Sequence, residues 1–406
     1  MLEYHRLINT SFTLMIFVFY ILVGWIIERI KMVKLLSDQE VIQKVLDQID
    51  NKTTDLGDEV WREPVVNYRS EQRFAKELEL FKRLPMVFCP SAMVREKGSY
   101  IARNVAGVPL LAIRGQDNIV RVFHNSCRHR GMMLAEGTGT APKFICPYHA
   151  WAYGLDGELL NIAGREGFPD VELKSHGLVK VKTEEKGGLV FITQKEPFSS
   201  GALDELPDLI APDQKVFDYS TFIDNANWKI LLETAMEGYH IRALHNKTFY
   251  PYGFDNLNIV ETIGMNSRIV FPFRRIEKLR KIDKKSWCAD GMLTYVTQVY
   301  PNARLSILSS HYQLVIMEPI SVEATQWHVY RLTPPGSSSS KHDLEKSKKD
   351  ASFVKDTGVE EDRDAACSIQ KGLSGDGNTH FTFGKFEKAI VHFHRQLTEH
   401  INNLCV

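Results

Sequence analysis

The sequence has no excess of charge of either sign, because its 406 residues include 50 Lys and Arg against 50 Asp and Glu. A chain without a basic surplus lacks the attraction that nucleic-acid-binding proteins use, so no nucleic-acid partner is expected. Cysteine is scarce, with six residues in all, and four of them are scattered. That usage argues against the disulfide framework of a small secreted domain. No GxGxxG segment opens a βαβ unit, so the chain is not expected to bind a dinucleotide through that motif.

A long uncharged segment near the N-terminus stands out from this balanced composition. No charged residue occurs from Leu7 to Ile27, and about 20 apolar residues suffice for a helix to cross a bilayer. The segment is too long for the apolar part of a signal peptide and does not end in small residues. Three basic residues follow it closely, whereas a single arginine precedes it. By the positive-inside rule, we expect residues 1–35 to form a single-pass membrane anchor, with the large C-terminal part of the chain facing the cytosol.

The rest of the sequence predicts an α+β protein in which short β-like runs precede a mixed second half. Polar residues with little periodicity fill 36–66, and Phe74, Leu78 and Phe81 then fall on one face of a short helix. A Ser- and Lys-rich stretch, 334–350, is predicted to be a disordered loop. The predicted divisions are a transmembrane anchor (1–35), a linker (36–66), a helix that packs on the second domain (67–84), a small all-β domain (85–196), and a second domain of antiparallel sheet with flanking helices (197–406).

Two short segments each pair one cysteine with one histidine. The first is Cys127-x-His129, and after 16 intervening residues the second is Cys146-x-x-His149. Zinc is the ordinary interpretation of two cysteines and two histidines, but structural zinc sites usually begin with two closely spaced cysteines. A mixed pair in each loop suits a Rieske [2Fe–2S] cluster, in which both cysteines bind one iron and both histidines bind the other. Gly131 in the first loop and Pro147 in the second would let the loops turn tightly.

The segments "NSCRHRGMML" and "CPYHAWAYGLDG" resemble the cluster-binding loops of the Rieske non-haem iron oxygenases. The resemblance extends from about Tyr68 to the end of the chain. It implies an all-β Rieske domain followed by a catalytic domain of the helix-grip type, an antiparallel sheet with flanking helices. The first domain alone would also suit a ferredoxin that only carries electrons.

A second metal-binding pattern lies in "NWKILLETAMEGYHIRALH". His240 and His245, joined by one carboxylate, would form the facial triad of non-haem Fe(II) oxygenases, which leaves positions open for dioxygen. Five residues along a regular helix correspond to a rotation of about 140°, so the two histidines would not share a face. Because the apolar spacing of the segment is helical, we expect the helix to bulge or break between them.

The carboxylate of this triad is expected far downstream. The segment "VEEDRDAACSIQKGL" resembles the family segment that supplies it, and the resemblance places the ligand at Asp362. On sequence chemistry alone, Glu361 and Asp364 are equivalent candidates. The mononuclear site is therefore predicted to be His240, His245 and Asp362 around Fe2+.

The resemblance also implies how the two centres cooperate. In this family three subunits stand head to tail, and the cluster of one lies beside the mononuclear iron of its neighbour. A carboxylate three residues before the first iron-binding histidine bridges the centres, and Glu237 occupies that position here. Glu237 would accept hydrogen bonds from His149 and His240 and give electrons a short path. The electrons would come from an external ferredoxin or flavin reductase.

The bridging position also indicates a branch of the family. A glutamate there, with "EGYH" and "EDxxxxxxxQKGL", resembles the choline and carnitine monooxygenases, which oxidise trimethylammonium compounds. Choline, oxidised to betaine aldehyde, is the expected small-molecule substrate, and aromatic rings would hold its cation. Two alternatives stay open: an oxygenase for an aromatic or sterol-like substrate, and a membrane-tethered Rieske electron-transfer protein.

Overall fold

The computed structural model of the chain describes residues 35–197, 203–337, 341–375 and 377–404. The predicted membrane anchor, residues 1–35, lies outside the described residues except for residue 35, and it stays a prediction. Within the described ranges, no helix is both long enough and apolar enough to span a membrane.

The prediction of a linker over residues 36–66 is wrong, because this segment contains a helix and a strand. Helix α1 (Asp38–Asn51) begins at a capping box in which Ser37 and Glu40 satisfy each other's backbone N–H groups. Its apolar side chains recur at helical spacing and are buried, namely Val41, Ile42, Val45 and Leu46. Strand β1 (Trp61–Pro64) pairs antiparallel with His380–Phe383 near the other end of the chain. The apolar face of α1 was missed because polar residues surround it on every side in sequence.

The predicted helix at 67–84 is present as α2 (Val66–Arg69) and α3 (Glu71–Arg83). Helix α3 packs on the second domain, since the Phe81 ring meets the Trp228 ring edge-on at 5.2 Å. The buried carboxylate of Glu77 accepts hydrogen bonds from Trp228 Nε1 at 2.9 Å and from Lys229 Nζ at 2.8 Å. A buried, fully paired charge of this kind fixes the orientation of the helix on its support.

The first domain is built from antiparallel strands that form two sheets. Its strands are β2 (Met86–Pro90), β3 (Ser99–Val105), β4 (Val108–Arg114), β5 (Val120–His124), β6 (Thr138–Thr140), β7 (Phe144–Ile145), β8 (Ala152–Tyr153), β9 (Leu159–Asn161), β10 (Lys180–Lys186) and β11 (Leu189–Thr193). Seven of them form a sheet in the order β2-β11-β10-β5-β4-β3-β6, and β7-β8-β9 form a smaller sheet. Both cysteine–histidine segments lie in loops of this domain.

The second domain is a seven-stranded antiparallel sheet with helices packed on it. Its strands are β12 (Val216–Asp224), β13 (Ile259–Ile263), β14 (Asn266–Pro272), β15 (Leu293–Val299), β16 (Ala303–Ile307), β17 (Tyr312–Ser321) and β18 (Ala324–Leu332), in the order β12-β18-β17-β16-β15-β14-β13. Its helices are α4 (Trp228–Glu233), α5 (Lys341–Val354), α6 (Glu360–Gly372) and α7 (Lys388–Asn403), and β19 (His380–Phe383) precedes α7. Short 3₁₀ helices occur in the two domains at Ser91–Val94, Arg165–Gly167, Leu173–Ser175, Arg274–Lys281 and Lys284–Ser286.

The Ser/Lys-rich stretch predicted as a disordered loop, 334–350, is largely helical in the structure. Residues 341–350 belong to α5, and residues 338–340 lie outside the described ranges. The helix is held to the connection between β16 and β17 by polar contacts, since Ser347 Oγ donates to the Ser310 carbonyl at 2.7 Å and Asp350 accepts from His311 Nδ1 at 2.7 Å. Composition alone predicted disorder because these contacts involve residues far away in sequence.

Candidate metal centres

The two cysteine–histidine segments fold into loops of the same shape. In each loop the cysteine N–H donates to the carbonyl five residues later, at 2.8 Å in both. The residue four positions after the cysteine donates back to the cysteine carbonyl, at 2.9 Å in the first loop and 3.0 Å in the second. That residue is Gly131 in the first loop and Ala150 in the second, and both have a positive φ. Tight turning of the second loop therefore depends on a left-handed Ala150 rather than on the predicted Pro147.

The four predicted cluster ligands are arranged as one sulfur pair and one nitrogen pair. Cys127 and Cys146 are each 3% exposed and belong to the same buried cluster of side chains. The Nδ1 atoms of His129 and His149 lie 3.1 Å apart. The coordinating nitrogen atoms of two imidazoles on one tetrahedral metal would lie about 3.4 Å apart, so this pair is already spaced to share an ion.

A single zinc ion does not fit this arrangement. Tetrahedral zinc, with its ligands at about 2.0 to 2.3 Å, would bring all four donor atoms within about 4 Å of one another. In the part of the chain that the structure describes, one set of three metal-binding side chains has its donor atoms within 4.8 Å of one another. None of the cysteines and histidines of the two loops belongs to that set. Separate sulfur and nitrogen pairs match the two differently ligated irons of a Rieske cluster.

The surroundings of the loops differ between the sulfur side and the nitrogen side. The Tyr153 hydroxyl lies 3.2 Å from Cys127 Sγ, and burial raises the pKa of this hydroxyl, which keeps its proton. The His129 ring stacks on Trp151 with centroids 5.1 Å apart, and His149 is exposed. The cysteines thus face the domain interior and the histidines face the surface. Sequence reasoning did not single out Tyr153 or Trp151, although both stand in the quoted motif.

The predicted break in the helix that carries the second histidine pair is present, and it comes earlier than expected. Helix α4 ends at Glu233, and the chain continues in turns through His240 and His245. The carbonyl of His240 accepts from Leu244 N–H at 2.8 Å, and that of His245 accepts from Tyr250 N–H at 3.0 Å. Two successive turns bring the imidazole rings to 5.0 Å centroid separation, which a continuous helix would prevent.

Asp362, in the first turn of α6, completes a set of three metal-binding side chains with the two histidines. Its Oδ1 lies 2.9 Å from His245 Nε2 and 3.5 Å from His240 Nε2. A π-helical turn, Lys355–Val359, precedes α6, and such turns are frequent at functional sites. Of the local competitors, Asp364 is exposed and Glu361 contacts a different atom of the site.

Each histidine of this set has a second carboxylate on its far ring nitrogen. Glu237 Oε1 contacts His240 Nδ1, and Glu361 Oε2 lies 2.6 Å from His245 Nδ1. Thr248 also donates to Glu361 Oε2, at 2.7 Å. Carboxylates in this position fix the orientation of a metal-binding imidazole and make its other nitrogen a stronger ligand. Sequence reasoning considered Glu361 only as an alternative ligand and missed this supporting contact.

The electrostatics of the site suit a divalent cation. Burial lowers the pKa of His240, but the hydrogen bond and charge of Glu237 outweigh it and raise that pKa to about 9. Burial likewise opposes protonation of His245, and Asp362 and Glu361 reverse the effect, so its pKa is also raised. The carboxylates therefore create a negative potential at the point where the Nε2 atoms meet.

A cavity of about 520 Å³ opens beside these three side chains. Its size is typical of sites for small molecules. Six aromatic side chains line it, namely Phe249, Tyr252, Phe254, Phe271, Phe273 and Phe353. The cavity thus joins a metal-binding set to a largely apolar, ring-lined chamber.

Two family models match the chain, one for each domain. Residues 85–175 match the Rieske [2Fe-2S] domain, and residues 213–403 match the catalytic domain of the ring hydroxylating alpha subunit. The chain belongs to the Rieske non-haem iron oxygenases. Oxygenases with these two domains bind a [2Fe–2S] cluster in the first and a mononuclear iron in the second, and both donor sets described above fit those cofactors.

Relatives of this Rieske oxygenase are named for quaternary ammonium compounds. It is 34% identical to the glycine betaine monooxygenase oxygenase subunit of Chromohalobacter salexigens, over 44% of this chain and 42% of that protein. It is 33% identical to the carnitine monooxygenase oxygenase subunit of Escherichia coli K12, over 46% of this chain and 53% of that protein. The matched segments thus span about half the length of these two relatives. Chloroplastic choline monooxygenase of Beta vulgaris is 26% identical over 83% of this chain and 76% of that protein.

Solved structures share the fold of this Rieske oxygenase. A quaternary ammonium Rieske monooxygenase in complex with L-carnitine has a TM-score of 0.71 at 22% identity, covering 85% of this chain and 96% of the other. Naphthalene 1,2-dioxygenase with bound indole has a TM-score of 0.67 at 18% identity, covering 84% and 92%. Because both kinds of enzyme share the fold, the fold itself does not choose between their substrates.

Proposed function

We propose that this chain is the oxygenase component of a monooxygenase that oxidises a quaternary ammonium compound. Cys127, Cys146, His129 and His149 hold the [2Fe–2S] cluster, and His240, His245 and Asp362 hold the Fe2+ ion. The observation that carries the proposal is the ring-lined cavity that opens directly on the second set. An alternative of pure electron transfer would leave that cavity and the convergent donor set without a role.

The cavity supports a cationic substrate through its aromatic walls and its negative end. Aromatic faces attract a trimethylammonium group without requiring it to lose its charge. Three carboxylates also line the cavity: Glu237, Asp350 and Asp362. Choline, glycine betaine and carnitine all carry this group, and choline, oxidised to betaine aldehyde, is the substrate that the sequence pattern favours.

The reaction consumes one dioxygen and two electrons for each substrate molecule. An R–H bond is converted to R–OH, one oxygen atom enters the product, and the other leaves as water with two protons. For choline, hydroxylation of the alcohol carbon gives the hydrate of betaine aldehyde. When bound, the two iron centres supply electron storage and oxygen activation. An external ferredoxin or flavin reductase supplies the electrons, since the sequence has no dinucleotide motif of the Rossmann type.

The chain's own residues position this chemistry. Glu361 and Glu237 hold the two imidazoles so that their Nε2 atoms face Asp362. The aromatic walls face the substrate cation and orient it. Glu237 also lies beside a second groove, which extends along Thr234, Phe381 and Glu387, so its carboxylate is reachable from outside the cavity.

A single-turnover experiment tests the proposed function. The pre-reduced holoenzyme is mixed with dioxygen and with choline, carnitine, glycine betaine or a flat aromatic acid in separate samples. Product from one or more of the quaternary amines supports the proposal. Product from the aromatic acid alone would replace it with the aromatic alternative, and reoxidation without any product would favour the electron-transfer protein.

We also propose that the active unit is a homotrimer in which Glu237 bridges the cluster of one subunit and the iron of the next. The Nδ1 atoms of His129 and His149 face each other, so His149 Nε2 points away and is exposed for such a contact. Co-expression of Cys127→Ser with Asp362→Ala tests this arrangement. In random trimers, one junction in four would pair an intact cluster with an intact iron, giving about a quarter of wild-type activity. No recovered activity would mean that the electrons stay within one subunit.

The expected membrane anchor stays a proposal based on residues 7–27. A variant lacking residues 1–34 should move from the membrane fraction to the supernatant on cell fractionation while retaining its cluster absorbance. A full-length chain already found in the supernatant would rule out anchoring. Protease accessibility in sealed vesicles would test whether the catalytic part faces the cytosol.

A further inference from the structure

Arg304 is a buried arginine whose side chain has no protein partner among the described residues. It is 8% exposed, it lies on β16, and its side chain lines the cavity. No salt bridge or side-chain hydrogen bond joins it to any group in the described part of the chain, and its Nε is buried without a partner. An unpaired buried guanidinium is costly, because it gives up hydration without receiving hydrogen bonds in return.

The other buried arginines of the described chain show that this state is exceptional. Arg103 donates to the Phe88 and Val87 carbonyls, each at 2.8 Å. Arg114 forms a two-point contact with the Glu185 carboxylate, at 2.8 Å on each arm. Arg331 is also 8% exposed and is paired with Asp218. Burial of these three arginines is therefore accompanied by a partner, and Arg304 differs from them in having none while it lines the cavity beside the metal-binding set.

The carboxylates near Arg304 are already committed to other groups. Glu237 contacts an iron-binding imidazole, and Asp350 accepts from His311 Nδ1 at 2.7 Å and from Ser310 N–H at 2.8 Å. The charge of Asp362 opposes the effect of burial, which lowers the Arg304 pKa, but no salt bridge joins the two residues. Iron bound to Asp362 would offset that negative charge, so the holoenzyme leaves Arg304 with less compensation.

Two further polar side chains lie on the same wall as Arg304. Ser306 follows it on β16 on the same face of the strand, and Gln313 is paired opposite Ser306 on β17. Both line the cavity. A guanidinium with a hydroxyl and an amide beside it forms a polar patch on an otherwise ring-lined wall, and carboxylates are the groups that arginine binds best.

The other two arginines of the cavity are engaged differently. Arg274 lies over the Tyr250 ring at 4.9 Å and donates to the Tyr250 carbonyl at 3.3 Å. Arg275 lies over the Phe273 ring at 4.5 Å and donates to the Gly291 carbonyl. Their positive charges are spread over ring faces and carbonyls. Arg304 is thus the cavity arginine that has room for an anion.

We propose that Arg304, with Ser306 and Gln313 beside it, binds the carboxylate of the substrate, so that the substrate is a betaine carrying a cation and a carboxylate in one small molecule. This inference rests on the proposed quaternary ammonium function and narrows it. Choline has the cation without the carboxylate, so it would leave Arg304 unpaired. A carboxylated quaternary amine neutralises Arg304 and places its cation against the rings.

Equilibrium binding to the cluster- and iron-loaded full chain separates the two halves of the ligand. Four probes are titrated by calorimetry: glycine betaine, choline, 3,3-dimethylbutanoate and 3,3-dimethylbutanol. Glycine betaine carries both charges, choline carries only the cation, 3,3-dimethylbutanoate carries only the carboxylate, and 3,3-dimethylbutanol carries neither. The four molecules have nearly the same shape. Arg304→Gln should weaken binding of glycine betaine and 3,3-dimethylbutanoate about 10- to 100-fold and leave choline and the neutral alcohol unchanged.

Controls and outcomes keep this proposal distinct from the proposed function. Arg304→Lys should retain part of the carboxylate affinity, and Arg331→Gln, which removes an equally buried arginine outside the cavity, should change no probe selectively. Equal weakening of all four probes, or no weakening of either carboxylate, would overturn the role of Arg304. Loss of iron from both Arg304 variants would overturn it as well, by assigning Arg304 to the support of Asp362. If only carboxylate binding is found and the cation adds nothing, the anion subsite stands and the quaternary ammonium function fails.

Discussion

The four proposed cluster ligands come from two neighbouring loops of one small sheet domain, whereas the three proposed iron ligands come from the turns after α4 and from the start of α6. In each loop, backbone hydrogen bonds to and from the cysteine close the turn that contains the histidine. At the iron site, each histidine is placed by a carboxylate, and one of these carboxylates comes from a distant helix. A locally built centre should withstand changes in the rest of the fold, and one assembled from distant segments should depend on them.

The largest expected effect is that each metal centre is lost without loss of the other. Asp362→Ala should remove the mononuclear iron and abolish product formation while the visible absorbance of the cluster persists, because none of the four proposed cluster ligands lies in α6. Cys127→Ser should remove the cluster while the mononuclear iron is retained. Iron analysis and absorbance spectra measure both outcomes. Asp364→Ala, which removes an exposed acid from the same helix, is the matched control and should retain both centres. Loss of the cluster in Asp362→Ala would show that the centres are not independent.

The next effect concerns the connection between the centres. Glu237→Gln should retain both metals and reduce product formation by about 100-fold or more, because the carboxylate that contacts His240 is replaced by a neutral amide. Stopped-flow reoxidation of the reduced cluster by dioxygen in the presence of substrate measures the step. Wild-type turnover in this variant would remove Glu237 from the electron path.

A smaller effect is expected at the supporting carboxylate of the second histidine. Glu361→Gln should weaken Fe2+ binding about 10- to 100-fold, since it removes the charge that orients His245 and strengthens it as a ligand. Titration of the metal-free mononuclear site with Fe2+ under anaerobic conditions measures the change. Glu360→Gln, an exposed acid one residue earlier, should bind iron like the wild type. Equal affinities in all three proteins would mean that Glu361 contacts His245 without supporting it.

The smallest effect is expected inside the locally built centre. Tyr153→Phe removes the hydroxyl that lies 3.2 Å from Cys127 Sγ. Hydrogen bonds to ligand sulfur stabilise the reduced cluster, so the reduction potential should fall by about 50 mV, corresponding to one lost hydrogen bond for a one-electron couple. Protein-film voltammetry measures the potential. An unchanged potential, with the cluster intact, would show that the hydroxyl does not interact with the sulfur.

The same contrast explains what could be predicted from the sequence. The cluster ligands were accessible because residues a few positions apart define each loop, and only the closing residue, Ala150 instead of Pro147, was misjudged. The need for a break between His240 and His245 followed from helix geometry, but the early end of α4 at Glu233 did not. Contacts between distant segments were missed, including Glu361 with His245 and the docking of α5 through Ser347 and Asp350.

The segments wrongly predicted as linker and loop failed for a related physical reason. Helix α1 and helix α5 are rich in polar residues, and each is held by a small buried face or by a few polar contacts. A composition rule counts the many solvent-facing residues and overlooks these few contacts. Arg304 is the opposite case, since nothing in its sequence neighbourhood distinguishes it from an ordinary strand residue, and only its burial beside a cavity gives it meaning.

Metal and sulfide analysis of the purified chain, combined with resonance spectra before and after reduction, tests the central claim most directly. Two separate centres predict about three irons and two acid-labile sulfides per chain, with a paramagnetic signal that appears on reduction. A colourless protein that contains one zinc ion and no sulfide would contradict the assignment of both the loops and the oxygenase function.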